Sequence, residues 1–204
     1  MRRSFINVCV MLCLLLAAGT AAAESIQGRI GVNGRLGFLV PSDTNTSLYY
    51  QDLETDACFI GGGGFIYGIT ENLALELDIT HYWFDGNYAG IKVEEFSTTD
   101  ISLGVQYRFN NLTVSKLVPF VGGGVDILLS DTTDLYGEGG DVDTVPGVHA
   151  NGGVDYFIMK QLALTAELKV VVAPNADIKF RGFKTGDYDP NSFSSTIGFR
   201  YFFN

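Results

Sequence analysis

The chain closes on "STIGFRYFFN", residues 195–204. Ile197, Phe199, Tyr201 and Phe203 stand at every second position, with Gly198, Arg200 and Phe202 between them. A period of two belongs to a β-strand, whose side chains alternate between opposite faces. One face of this strand is wholly large and apolar, while the other carries a charge. Such a strand divides an apolar surrounding from an interior that accepts polar groups.

The same alternation recurs upstream, giving about eight segments: 26–40, 57–69, 73–84, 97–109, 117–129, 147–158, 162–173 and 192–203. In the first, Ile26, Ile30, Val32, Leu36, Phe38 and Val40 share one parity, and Gln27, Arg29, Asn33 and Arg35 take the other. Short turns join some segments, at Thr70–Asn72, near Asn110 and at Met159–Gln161. Long polar stretches join the others, at 41–56, 85–96, 130–146 and 174–191. The alternation of short and long connections predicts an antiparallel meander with tight turns at one end and long acidic loops at the other. A hairpin hidden in 41–56 would raise the strand count from eight to ten. "GGFIYGITENLALELDI" at 63–79 also resembles "GGVDYFIMKQLALTAEL" at 152–168. The spacing is too long for a solenoid repeat and fits a hairpin design used twice.

The opposite end of the chain says where this strand set goes. Met1-Arg2-Arg3 is basic, Val8 to Ala18 is almost wholly apolar, and Gly19 to Ala23 are small. That is the layout of a cleaved secretory signal at 1–23, too short for a membrane span, leaving one unit at 24–204. Removal takes away Arg2 and Arg3 and no acid, so 13 cations become 11 against 23 acids and the net charge becomes −12. An acidic chain lacks the basic patch that nucleic acid requires. Only Cys58 remains, so no disulfide framework is available.

A soluble sandwich also alternates, but its polar faces carry many charges. Here they carry Gly, Ser and Thr with one or two charges per strand, while the apolar faces run the whole length. Strands of about 10 residues exceed the usual soluble length and match a bilayer crossing. Tyr67, Trp83, Tyr107, Phe109, Tyr156, Tyr201 and Phe203 fall near segment ends, where interfacial girdles sit. The fold expected is all-β, an eight-stranded antiparallel up-and-down transmembrane barrel.

"PFVGGGVDI" at 119–127, "GGVDYFI" at 152–158 and "IGFRYFF" at 197–203 resemble small outer-membrane barrels of the OmpA-like and OmpW-like kind, over most of the chain after residue 23. The resemblance implies a Gram-negative outer membrane, contact with its lipids and lipopolysaccharide, and an aromatic last strand (Ile197, Phe199, Tyr201, Phe203) read by the insertion machinery. Asn204 after Phe203 departs from that terminal pattern. For OmpW-like relatives it also implies a narrow, porin-like passage for small hydrophobic compounds.

By parity, Arg29, Arg35, Arg108, Lys169 and Arg200 face the interior with Glu76, Asp78, Asp100, Asp126, Asp155 and Glu167. An eight-stranded barrel is just wide enough for side chains to fill. The expectation is a paired network plugging the lumen, with a narrow polar or apolar conduit as the alternative. No enzyme is expected, because His81 and His149 have no serine placed for a catalytic pair. The glycine runs 61–64 and 122–124 fit no phosphate loop, and the acidic loop residues fit no EF-hand. Cofactors and metals are therefore not expected.

Overall fold

The computed structural model describes residues 25–42, 44–46, 51–55, 57–88, 91–110, 116–134, 139–180 and 183–203. The expected signal segment lies outside them. The strands, in order, are β1 (Ile30–Pro41), β2 (Thr44–Thr46), β3 (Gln51–Thr55), β4 (Cys58–Gly68), β5 (Leu73–Tyr88), β6 (Ile91–Arg108), β7 (Leu117–Asp134), β8 (Gly139–Val142), β9 (Val145–Phe157), β10 (Leu162–Val172), β11 (Ala176–Phe180), β12 (Phe183–Tyr188) and β13 (Ser192–Phe202).

Eight of them close a barrel. The antiparallel circuit runs β1–β4–β5–β6–β7–β9–β10–β13 and returns to β1. The closing seam is fully paired, from Gly31↔Phe202 to Pro41↔Ser192. Closure is what the membrane demands, because an open edge would leave unpaired N–H and C=O groups in hydrocarbon. The apolar parity faces outward, with Leu36, Phe38, Val125, Leu168 and Ile197 all exposed. On β1 the outward face from Ile30 to Val40 covers about 33 Å of strand. That is about 25 Å of height at a tilt of about 40°, the thickness of a lipid belt.

In their described parts the long connections are not irregular loops. β5 and β6 stay paired to Tyr88↔Ile91, with a bulge at Gly86/Asn87, so 85–96 is a hairpin extension. The hairpin suspected in 41–56 exists as β2–β3, but it adds no wall strand to the barrel. Instead β3 pairs β5, β2 pairs β12, β12 pairs β11, β11 pairs β8 and β8 pairs β7. These pairings close a second ring, β5–β6–β7–β8–β11–β12–β2–β3, stacked on the first. Polar sequence does not prevent strand there, since above the belt the outer face is wet.

β5, β6 and β7 run through both rings, while the other five walls break between them. Pro41, Pro146, Pro174 and Pro190 sit at or beside four of the breaks: β1/β2, β8/β9, β10/β11 and β12/β13. Proline lacks the N–H that a ladder needs, so it belongs where the ladder is already interrupted.

The interior is layered. An apolar plug of Ile26, Ile66, Ala74, Val118, Phe157, Ala163 and Phe202 fills the tight-turn end. Charged side chains fill the middle. A larger apolar cluster containing Leu39, Ile60, Phe84, Phe96, Ile178 and Tyr188 fills the mouth and the second ring.

Ile26 corrects the parity reading, which put it on the outer face. Gly28 has φ +73°, and this left-handed turn reverses the chain before β1. Ile26 is thereby folded under the barrel, 2% exposed, with Gln27 bridging to Gly68. An Ile26→Ala variant is expected to lose about 2–5 kcal/mol of stability from the lost burial and cavity. Urea unfolding in lipid vesicles, followed by the heat-dependent gel shift of the folded barrel, measures this; an unchanged midpoint would show that the plug contributes nothing.

Candidate functional site

The charged middle layer is built by parity. Each wall strand turns every second residue inward, and the inward residues at mid-height are polar or glycine. Arg200 on β13 is its centre. Its Nη2 lies 2.9 Å from Glu76 Oε1 and its Nη1 lies 3.0 Å from Asp155 Oδ2. Its guanidinium carbon stands 4.5 Å over the Phe120 ring, a cation–π contact in a dry setting. Arg108 Nη2 reaches Asp155 Oδ2 at 2.6 Å. Arg35 on β1 gathers three carboxylates: Glu76 at 2.9 Å, Asp78 at 2.8 Å and Glu167 at 2.7 Å. Toward the mouth, Lys169 Nζ bridges Asp100 at 2.8 Å and Asp126 at 2.9 Å. His149 Nδ1 lies 2.9 Å from Asp126 Oδ2.

Ten of the eleven residues assigned to the lumen by parity are thus placed inside and ion-paired. Arg29 is not. It sits at the tight-turn rim and donates to the carbonyl oxygens of Phe203, Lys160 and Phe202. The Gly28 turn puts it outside the strand register that parity assumes, and it clamps the end of the last strand against the first.

Three polar residues complete the network without having been assigned to it. Asn33 Nδ2 donates to both Glu76 and Asp78, Gln106 donates to Glu76, and Asn151 donates to Glu167. They share the inward parity, which was the available signal. His149 needs more than parity. A Cβ on Gly124 would lie 2.8 Å from its ring and 2.1 Å from the carbonyl oxygen of Leu103, so a side chain there would take the ring's place.

The layer leaves little space. One cavity of about 10 Å³ lies among Arg35, Glu76, Gln106, His149, Asn151 and Glu167. Another of about 20 Å³ lies among Asp78, Asp100, Lys169, Ser194 and Thr196. Each has room for about one water, far below a solvated path. Above them Phe84, Phe96 and Tyr188 stack nearly parallel, with centroids 5.3 to 6.3 Å apart. The hydroxyls of Thr98, Ser130 and Tyr188 bond one another beneath that stack. Cys58 is buried in the same apolar cluster.

Outside, Ile197, Phe199, Tyr201 and Phe203 all face outward, and Tyr201 meets Phe203 edge to face at 5.3 Å. Tyr107 and Phe109 pair the same way at that rim. Phe38 and Phe59 pair near the other rim, as do His81 and Trp83. His81 therefore belongs to the outer girdle, with Nδ1 3.0 Å from Thr99 Oγ1.

In the second ring Lys179 pairs Asp143 at 2.6 Å, and Lys184 pairs Asp177 at 2.8 Å and Asp187 at 2.6 Å. The Lys184 hydrogen bond holds Asp177 below the usual carboxylate range. These pairs are solvent-exposed and contribute little stability. Asp131 and Asp141 face each other across β7 and β8. Asp56 and Glu138 lie outside the described residues. Among the described residues, no three His, Cys, Asp or Glu side chains converge as a metal site.

A closed antiparallel barrel with an apolar belt, two aromatic girdles and a charge-filled lumen is an outer-membrane protein. The chain belongs to the outer membrane protein beta-barrel domain family, whose model matches residues 9–203. No curated protein matches its sequence. The fold is similar to that of OprG from Pseudomonas aeruginosa, at 18% identity and a TM-score of 0.67, over 90% of this chain and 99% of OprG. It is similar to Neisserial surface protein A, at 18% identity and 0.63, over 85% and 97%. The E. coli outer membrane protein W matches at 16% identity and 0.52, over 88% and 100%.

Removing one partner of a buried pair strands the other charge, at a cost of about 3–5 kcal/mol. Arg200→Leu, which leaves Glu76 to Arg35 and Asp155 to Arg108 with one more buried negative charge uncompensated, is expected to lose that much, and Arg200→Leu with Glu76→Gln to recover part of it. Equal urea midpoints for wild type and single variant would exclude any coupling through Arg200.

Proposed function

We propose that this protein is a plugged, non-catalytic barrel. It anchors in the outer membrane by its apolar belt and displays a rigid acidic crown that contributes to envelope integrity or surface contact. The observation that carries the reading is the middle layer. Arg35, Arg108, Arg200 and Lys169 tie together carboxylates from several walls, and the cavities left between them hold about one water each. A hydrated ion needs a wider, continuous path. The crown is strand-built, so its carboxylates are held at fixed places over the lipopolysaccharide leaflet. Export by residues 1–23 and recognition of the last strand by the insertion machinery belong to the same reading.

The test is conductance of the refolded protein in a planar lipid bilayer, with folding checked by the gel shift. The expected record is silent at neutral pH, with and without millimolar calcium. Discrete, reproducible steps would overturn the plugged reading.

One observation favours a second reading, passage of small apolar compounds from the mouth sideways into the bilayer. The wall ladder breaks between the two rings on five adjacent strands, and the interior behind that line is the apolar cluster of Leu39, Ile60, Val171 and Ile178. On that reading, vesicles carrying the protein take up an apolar dye faster than empty ones, and Phe84→Ala with Tyr188→Ala speeds uptake further. Equal uptake by empty and protein-bearing vesicles removes it.

A further inference from the structure

The repeat that joins 63–79 to 152–168 extends through the whole wall. "LGVQYRFN" at 103–110, in and just after β6, corresponds to "IGFRYFFN" at 197–204, in and just after β13. Gly104 falls on Gly198, Tyr107 on Tyr201 and Phe109 on Phe203. In β1 the outward Val32, Gly34, Leu36 and Phe38 correspond to Val121, Gly123, Val125 and Ile127 of β7. The half-wall β1–β4–β5–β6 therefore matches the half-wall β7–β9–β10–β13.

Strand register agrees with the sequence match, and the two are independent. Tyr67↔Leu75 between β4 and β5 corresponds to Tyr156↔Leu164 between β9 and β10. Leu77↔Leu103 between β5 and β6 corresponds to Ala166↔Ile197 between β10 and β13. Val105↔Gly123 between β6 and β7 corresponds to Phe199↔Gly34 at the closing seam. Three of the four kinds of junction thus coincide residue for residue. The fourth differs by two residues: β1 pairs Gly34 with Gly63, while β7 pairs Val121 with Gly152. A shift of two keeps every side chain on its own face. The rim aromatics repeat as well, Tyr107 meeting Phe109 at 5.0 Å and Tyr201 meeting Phe203 at 5.3 Å, both edge to face.

Inside, the halves differ in a regular way. Arg35 and Asn33 of β1 correspond to Gly124 and Gly122 of β7, and Gly62 of β4 corresponds to Asn151 of β9. One half supplies a side chain where the other supplies glycine. An eight-stranded lumen is just wide enough for side chains to fill. Two copies of one half would set side chain against side chain at one level and gap against gap at another.

We propose that the barrel is two four-stranded units in tandem, related by a two-fold axis along the lumen. The β6–β7 junction is then a second closing seam, equivalent to β13–β1. The wall is repeated and the filling is complementary, so each half is the specific partner of the other. The relation lies in the wall and stands whether or not the lumen conducts.

The test is a circular permutant of the exported chain. Asn204 is joined to Glu24 through a short glycine linker, near the point where Phe203 N donates to the Ile30 carbonyl oxygen at 2.8 Å. The chain is opened between Asn110 and Lys116, which makes β7 the first wall strand and β6 the last. A second permutant is opened at Glu71, between β4 and β5. Its closing strand β4 is glycine-rich, and without the turn its register is weakly specified. In lipid vesicles, by the heat-dependent gel shift, the first permutant is expected to refold to the same fraction as wild type and the second to a smaller one. Failure of the first to close, or equal refolding of the two, overturns the second seam. Val105→Phe tests the equivalence with the termini in place. The Phe199 ring leans over Gly34, where an added Cβ would lie 2.9 Å from its Cε1. A ring at 105 covers Gly123 in the same way and is expected to raise the urea midpoint above that of Val125→Phe, which faces Leu103 and Val148 and covers no glycine. A midpoint for Val105→Phe no higher than that of Val125→Phe overturns the equivalence.

Discussion

Backbone hydrogen bonding in the absence of water is the constraint behind every other feature. In hydrocarbon each unpaired N–H or C=O costs several kcal/mol, so a sheet can cross only if its two edges meet. Here they meet along the full length of β1 and β13, and Arg29 clamps the carbonyls at the end of that seam. Once the wall is closed, a period of two does the remaining sorting. Every strand has one face in lipid and one in a lumen too narrow for solvent, so the same alternation sets both the belt and the plug.

The lumen shows what a narrow interior does with charge. Four cations, Arg35, Arg108, Lys169 and Arg200, stand among six carboxylates, and Arg200 alone touches side chains from β5, β9 and β10. Buried ion pairs are weak contributors to net stability, because desolvation offsets much of their attraction. Their effect is on alignment. A one-residue slip of any wall strand except β4, which carries no charge, would turn its charge into lipid and leave its partners unpaired. The apolar layers at either end keep water from relaxing that penalty.

The second ring changes how the outer end is understood. Long polar connections usually mean mobile loops, yet here they pair into a circuit that continues the wall. Three strands carry the load through, and the other five break at one level, with prolines at or beside four of the breaks. The break line is where the wall ladder is weakest and where the interior is apolar. Function on rigid scaffolds usually resides in the connecting segments. In this molecule the described parts of those segments are themselves paired strand.

Much of this was legible in the chain itself. The alternation that ends in Phe203 identified the barrel, its outward face and ten of the interior charges, because in a closed wall side-chain direction follows from counting. Counting failed where the backbone left the strand. The positive φ at Gly28 moved Ile26 inside and Arg29 to the rim, and no local pattern marks that turn. Polarity also misled above the belt, since a wet strand and a wet loop have the same composition. Only tertiary structure decided which charges pair, that His149 has the space its glycine neighbours leave, and that the loops join into a ring. Those are contacts between residues far apart in the chain, brought together by closure. Periodicity reports the direction of a side chain; its partner depends on the register of every strand between them.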